Sequence, residues 1–168
     1  MKFRIFLFAL LFSLLACYSF KGTNISPDVK TFYVAIFRST APNAPAEIGQ
    51  VFSDKLRDKV LRESRLSYSE MDISIEFEGA VTNYSVTSVA PTNDAKTGLI
   101  GSSLNRLLIN VQVDFINNVT EDDSWSQSFS FFQDFESSED LASVQDELIK
   151  SIFEQITEDI FNKAFTNW

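Results

Sequence analysis

The sequence has no histidine, and only one cysteine among 168 residues. Without histidine there is no side chain that ordinarily titrates near neutrality, no Ser-His-acid or Cys-His nucleophile system, and none of the commonest transition-metal ligand. A single thiol excludes an internal disulfide. Five glycines, none in a rich run, leave no loop that could cradle a phosphate. Basic residues number 14 against 23 acids, and such a surface repels nucleic acid at long range. A paired-carboxylate active site is formally open, but the acids fall in turns such as Glu121-Asp122-Asp123 and on polar faces, where solvation explains them. Asp134, Glu136, Glu139 and Asp140 lack the ligand spacing of a calcium loop. No catalytic residue, metal site or non-covalent cofactor is expected.

What is present begins at the amino terminus. Lys2 and Arg4 precede an apolar run, Ile5 to Leu15, broken only by Ser13, which is the layout of a secretory signal peptide. The run is too short for the ~20 residues of a membrane-spanning helix. It closes on Leu14-Leu15-Ala16-Cys17, which resembles the bacterial lipobox. The thiol of Cys17 would accept a diacylglycerol, and the small Ala16 would let a membrane peptidase reach the bond. Acyl chains contributing ~0.8 kcal/mol per buried methylene hold a soluble domain at a membrane. The expected organisation is a signal peptide at 1–16, a lipidated tether at 17–29 and one domain at 30–168. Loss of Lys2 and Arg4 leaves 12 basic residues against 23 acids, a mature net charge of −11.

Along the domain, Lys30 to Phe37 is rich in β-branched and aromatic residues and predicts a strand covered on both sides. Ile48, Val51, Phe52, Leu56 and Val60 recur at helical spacing and predict a helix ending near Arg65. Ile73 to Val81 alternates as a second strand, a long polar loop follows, and Leu107 to Phe115 alternates as a third. In the fourth, Trp125, Gln127, Phe129 and Phe131 oppose Ser124, Ser126, Ser128 and Ser130. That serine row has two readings, solubility at an edge strand or a contact surface for a hydrogen-bonding partner. Ser137-Ser138-Glu139-Asp140 has the form of a helix cap. From Leu141, an apolar stripe through Val144, Leu148, Ile152, Ile156, Ile160 and Ala164 predicts one long helix. Trp125, Phe129 and Phe131 are expected to pack on Leu148, Ile152 and Ile156. The order β-α-β-β-β-α predicts an α/β (α+β) two-layer sandwich, one four-stranded mixed sheet with two helices.

With those elements in place, the chain resembles the LptE family of lipopolysaccharide-assembly lipoproteins in its Bacteroidetes form. The likeness rests on "YSFKGTNISPDVKTFYV", "FEGAVTNYSVTSVAP", "LNRLLINVQVDF", "QSFSFFQDFESSEDLASVQDELI" and "EDIFNKAFTNW", which together span nearly all of the mature chain. The resemblance implies an outer-membrane lipoprotein facing the periplasm. It would plug and help assemble an LptD-like β-barrel, without catalysis, and contact lipopolysaccharide. Ser124, Ser126, Ser128 and Ser130 are the candidate barrel contacts. Lys96 and Arg106, flanking the long loop, are candidate lipopolysaccharide contacts. The acidic balance favours the plug over the lipid-binding role. The alternative is a lipoprotein that scaffolds another envelope complex or holds a small apolar ligand between helix and sheet.

Overall fold

A computed structural model describes residues 25–90 and 103–166. The segments expected to be the signal peptide and lipobox, with Cys17 and Lys96, lie outside the described residues. The elements are β1 (Thr31–Val34), β2 (Arg38–Ser39), α1 (Ile48–Glu63), β3 (Ser67–Tyr68), β4 (Ile75–Val89), β5 (Leu104–Asn117), a 3-10 turn (Glu121–Asp123), β6 (Trp125–Glu136) and α2 (Leu141–Phe165). They form the expected mixed α+β sandwich, but the sheet has six strands, in the order β3-β1-β4-β5-β6 with β2 beside β4. The count rises because the first predicted strand stops at Val34, Ile36 turns out to 67 % exposure, and pairing resumes at Arg38. β3 adds two residues that no periodicity could announce.

β1 lies parallel to both β3 and β4, with α1 as the crossover between β1 and β3, while β4, β5 and β6 form an antiparallel meander. β5 shows why one face is covered. Leu107, Ile109, Val111, Val113 and Phe115 are buried in one cluster with the apolar stripes of both helices, and the intervening residues face away. Cover on one side also corrects the reading of β1, where Phe32 and Val34 are buried but Thr31 and Tyr33 are not. Residues assigned to the tether join this core, since Ile25 and Val29 are 8 % and 5 % exposed.

α1 is seated by a close approach. Buried Ser53 accepts the Phe37 N–H at 2.8 Å and donates to the Gly49 carbonyl at 2.9 Å. A Cβ on Gly49 would stand 2.0 Å from the Phe37 carbonyl oxygen, so only glycine lets the helix lie this close. The helix ends at Glu63, two residues short of Arg65, where the Ser64 N–H and hydroxyl both bond the Val60 carbonyl.

α2 is capped by Asp140, whose carboxylate accepts the Ala142 N–H at 3.3 Å. Ser137 is not the cap. Its N–H donates to the Ser103 carbonyl at 3.0 Å and prolongs the β5–β6 ladder. Lys55 bonds Glu154 at 2.7 Å, and Lys59 bonds both Glu63, at 2.7 Å, and Glu158. Burial opposes the Lys59 charge, but hydrogen bonds to Glu158 and Glu63 outweigh it and raise its pKa. These pairs clip α1 to α2.

Aromatic rings carry the packing between layers. Phe37, Phe52 and Phe153 form an edge-to-face run from the β1–β2 corner through α1 to α2, with centroids 4.8 and 5.0 Å apart. Such contacts add about 0.5–1.5 kcal/mol each beyond the area they bury. A second run joins Phe161, Phe165, Phe77, Phe115, Trp125 and Phe129 from α2 across the sheet to its edge. The packing of β6 on α2 is therefore real but antiparallel. Trp125 lies under Lys163 at the far end of the helix, Gln133 meets Ser151 at 3.4 Å, and Phe135 lines one hollow with Leu148 and Val144. Trp125 thus sits away from Leu148, because the tight connection after β6 starts α2 beside the end of that strand.

Candidate functional site

Both helices cover one face, and among the described residues nothing packs over the opposite face of the sheet. Strand alternation assigns its residues. Glu76, Glu78, Ala80, Asn83 and Ser85 come from β4, and Arg106, Leu108, Asn110, Gln112 and Asp114 from β5. Register then brings β6 beside them, with Arg106 opposite Asp134, Leu108 opposite Phe132, Asn110 opposite Ser130, Gln112 opposite Ser128 and Asp114 opposite Ser126. The face divides into three zones.

At one end sit Glu76, Glu78 and Asp114. Partial burial, and then the neighbouring Glu78 charge, hold the Glu76 carboxyl above its ordinary pKa. In the middle lies the serine row. The Ser126 hydroxyl accepts from the Gln112 amide at 2.9 Å and donates to the Asp114 carboxylate. Those of Ser128 and Ser130 have no partner among the described residues. Asn83 donates to Ser85 at 3.0 Å, and the buried Asn110 Oδ1 accepts nothing among the described residues. Ser124 does not belong to the row. It follows the 3-10 turn, and its hydroxyl accepts the Asn117 N–H at 2.9 Å, closing the β5–β6 turn.

At the other end, Arg106 makes a two-point pair with Asp134, at 2.7 and 2.9 Å, and lays its guanidinium 3.7 Å from the centre of the Phe132 ring. The hydrogen bond from Arg106 holds the Asp134 carboxyl below its usual range and raises the Arg106 pKa in turn. Arg106 is thus already engaged, half-buried against an aromatic ring that is 42 % exposed. The sequence reading named Asp134 only in an acidic cluster set aside as a calcium loop, and did not single out Phe132 or Gln112 for this face. Phe131-Phe132 breaks the clean alternation of β6, and that break was the one signal that an apolar ring faces outward.

Beyond Tyr84, whose hydroxyl bonds Gln145 at 3.0 Å, the helix-side Val86 is 41 % exposed, so the far end of the β4–β5 hairpin projects past the helices. A groove of about 280 Å³ runs between α1 and α2, lined by Ile48, Val51, Ile149 and Phe153 with Lys55 and Lys150 at its rim. It opens between the two helices and not between helix and sheet. Among the described residues no three acidic or cysteine side chains are grouped to hold a metal ion. No helix among them is long and apolar enough to cross a membrane.

A mixed sheet covered on one face by two helices defines an α+β two-layer domain. Among the solved structures similar to it, three illustrate that architecture. One, described as a neuraminyllactose-binding hemagglutinin homolog from Helicobacter pylori, is 12 % identical with a TM-score of 0.54, covering 87 % of this chain and 88 % of its own. A protein from Xanthomonas campestris is 11 % identical with a TM-score of 0.53, covering 82 % and 88 %. A protein from Chlamydia trachomatis is 7 % identical with a TM-score of 0.52, covering 80 % and 98 %. At these identities the likeness is one of fold. Comparison with curated protein sequences gives no match. The family model described as "LptE: Lipopolysaccharide-assembly" matches residues 29–164. The chain belongs to the LptE family, whose work is lipopolysaccharide assembly.

Proposed function

We propose that this protein is an outer-membrane lipoprotein, anchored on the periplasmic side through lipid on Cys17, that plugs an LptD-like β-barrel and helps it assemble. Family membership supports the assembly role. The observation that carries the plug is the middle of the open face, where Ser128, Ser130 and Asn83 present hydroxyls and an amide with no charge among them. A polar lumen wall can meet such a surface without stripping water from ions, which is the costly part of polar association. A barrel of more than about 20 strands leaves a broad lumen that a compact domain can fill. The protein works by shape and surface, with no reaction catalysed.

Direct grip on lipopolysaccharide phosphates is the lesser role in this reading. Arg106 is paired with Asp134 and stacked on Phe132, so turning to a phosphate would leave a carboxylate unpaired. The test is barrel co-purification read beside surface lipopolysaccharide in depleted and complemented cells. Lysine at both Ser126 and Ser128 should cut barrel recovery by about tenfold or more, since unpaired charges desolvated at an interface cost over 1.4 kcal/mol. Neutralising Lys96 and Arg106 together should leave both readouts near normal. A Lys96/Arg106 double variant that keeps the barrel but loses surface lipopolysaccharide would reverse the ranking. Recovery of a lone monomer carrying an apolar ligand would instead favour the groove between α1 and α2.

A further inference from the structure

β6 is the last strand of the sheet, and no described strand pairs with its outer side. Its twelve residues pair with β5 in one unbroken register. The Ser137 N–H donates to Ser103, an odd-to-odd pair, so the odd residues of β6 turn their N–H and C=O groups towards β5. The even-to-even bond from Asn118 to Ser74 agrees, because it sends the even residues of β5 the other way, to β4. The even residues of β6 therefore point their backbone groups outward. Among the described residues, the N–H groups of Ser126, Ser128, Ser130, Phe132 and Asp134 have no acceptor.

Edge strands of this length are ordinarily blunted by lysine, proline, a bulge or brevity. β6 has no lysine and no proline, and no register shift interrupts it. The opposite edge is blunted by brevity, since β3 has two residues. An open row on one edge alone is the arrangement by which sheets accept an added strand.

Charge selects the occupant. The centre of β6 is neutral from Trp125 to Gln133, but acids stand at both ends, Glu121 to Asp123 before it and Glu136, Glu139 and Asp140 after it, beyond Asp134, whose charge Arg106 already meets. A second copy laid antiparallel would bring acids against acids at each end, on chains of net charge −9. We propose that the β6 edge is a strand-addition site for an extended segment of another protein, neutral and alternating in its middle and carrying lysine or arginine at its ends. This uses the edge of the sheet and stands independently of whether the partner is a barrel.

The test uses the full-length protein purified in detergent and a synthetic probe peptide, alternating threonine and valine over about 10 residues, a strand's length, with a Lys-Arg pair at each end. Amide hydrogen exchange is read by residue. The probe should slow exchange at Ser126, Ser128, Ser130 and Phe132 by about tenfold or more, the size a 1.4 kcal/mol contact produces. It should leave Gln127 and Phe129, already bonded to β5, little changed. Ser128→Pro removes an outward N–H but none of the ladder, so it should abolish binding while the unfolding midpoint stays close to wild type. Should that variant fail to fold, the wild-type exchange pattern still decides. No slowing at the even amides overturns the site. Equal slowing by a probe with Glu-Asp ends overturns the charge rule. Protection without any probe that grows with protein concentration assigns the edge to a second copy and overturns the proposal as stated.

Discussion

The two faces of the sheet are built from alternate residues of the same strands, yet they answer to different physics. On the covered face, Phe77, Ile109, Val111 and Phe129 are buried against two helices, and their worth is apolar area and fit. On the open face, one residue along, Ser128, Asn110 and Arg106 stay in contact with water and have cross-strand polar neighbours. Neighbouring positions can therefore differ more in consequence than positions at opposite ends of the chain. Stability is concentrated on one face, which leaves the other free to vary in chemistry for a partner.

The sharpest way to break that contrast is to empty the covered side. Phe153→Ala removes the ring that links Phe52 of α1 to α2 at a fully buried site, and should cost about 3–5 kcal/mol in urea unfolding. That is a large share of the 5–15 kcal/mol typical of a domain. A midpoint within error of wild type would show that the helix layer packs otherwise. Phe129→Ala should cost about 3 kcal/mol, the low end, since β6 is an edge strand. The adjacent Ser128→Ala and Ser130→Ala should stay within about 0.5 kcal/mol of wild type. Equal effects from Phe129 and its serine neighbours would dissolve the distinction between the faces.

Gly79→Ala probes the same face by crowding. Gly79 has φ +153°, and a Cβ there would meet the Gln112 carbonyl oxygen at 2.0 Å. A cost of about 1–3 kcal/mol from overpacking is expected, read as a lower thermal midpoint.

The open face should respond to acid pH through its carboxyls. The folded Asp134 pKa lies below its unfolded value near 3.9, so its pairing with Arg106 stabilises the protein above about pH 4 and is lost as acid carries the pH down through the folded value. Asp134→Asn should flatten that acid limb of the stability curve. Glu76 has the opposite sign. Its folded pKa is raised, so its ionisation disfavours the fold as pH rises through that value. Glu76→Gln should slightly raise the melting temperature at neutral pH, and the gain should vanish below about pH 4, where the unfolded carboxyl is also protonated. This is the smallest effect, and a fall in melting temperature at pH 7 would refute the assignment.

Local pattern alone determined a good deal about this protein. Period-two alternation in Leu107–Phe115 and Trp125–Phe131 placed two strands, and the apolar stripe from Leu141 placed the long helix, because those periods follow from backbone geometry within one segment. Absence of histidine, with a single cysteine, leaves the chain without the side chains of the usual nucleophile-base systems. Tertiary structure decided what depends on residues far apart in the chain. It inserted β1 between β3 and β4, left β6 on the edge, and moved Ser124 out of the serine row into a turn with Asn117. It also set Arg106 against Asp134, 28 residues on, in a two-point cross-strand pair. Register and strand order arise only when the whole chain closes on one core, so no single segment carries them.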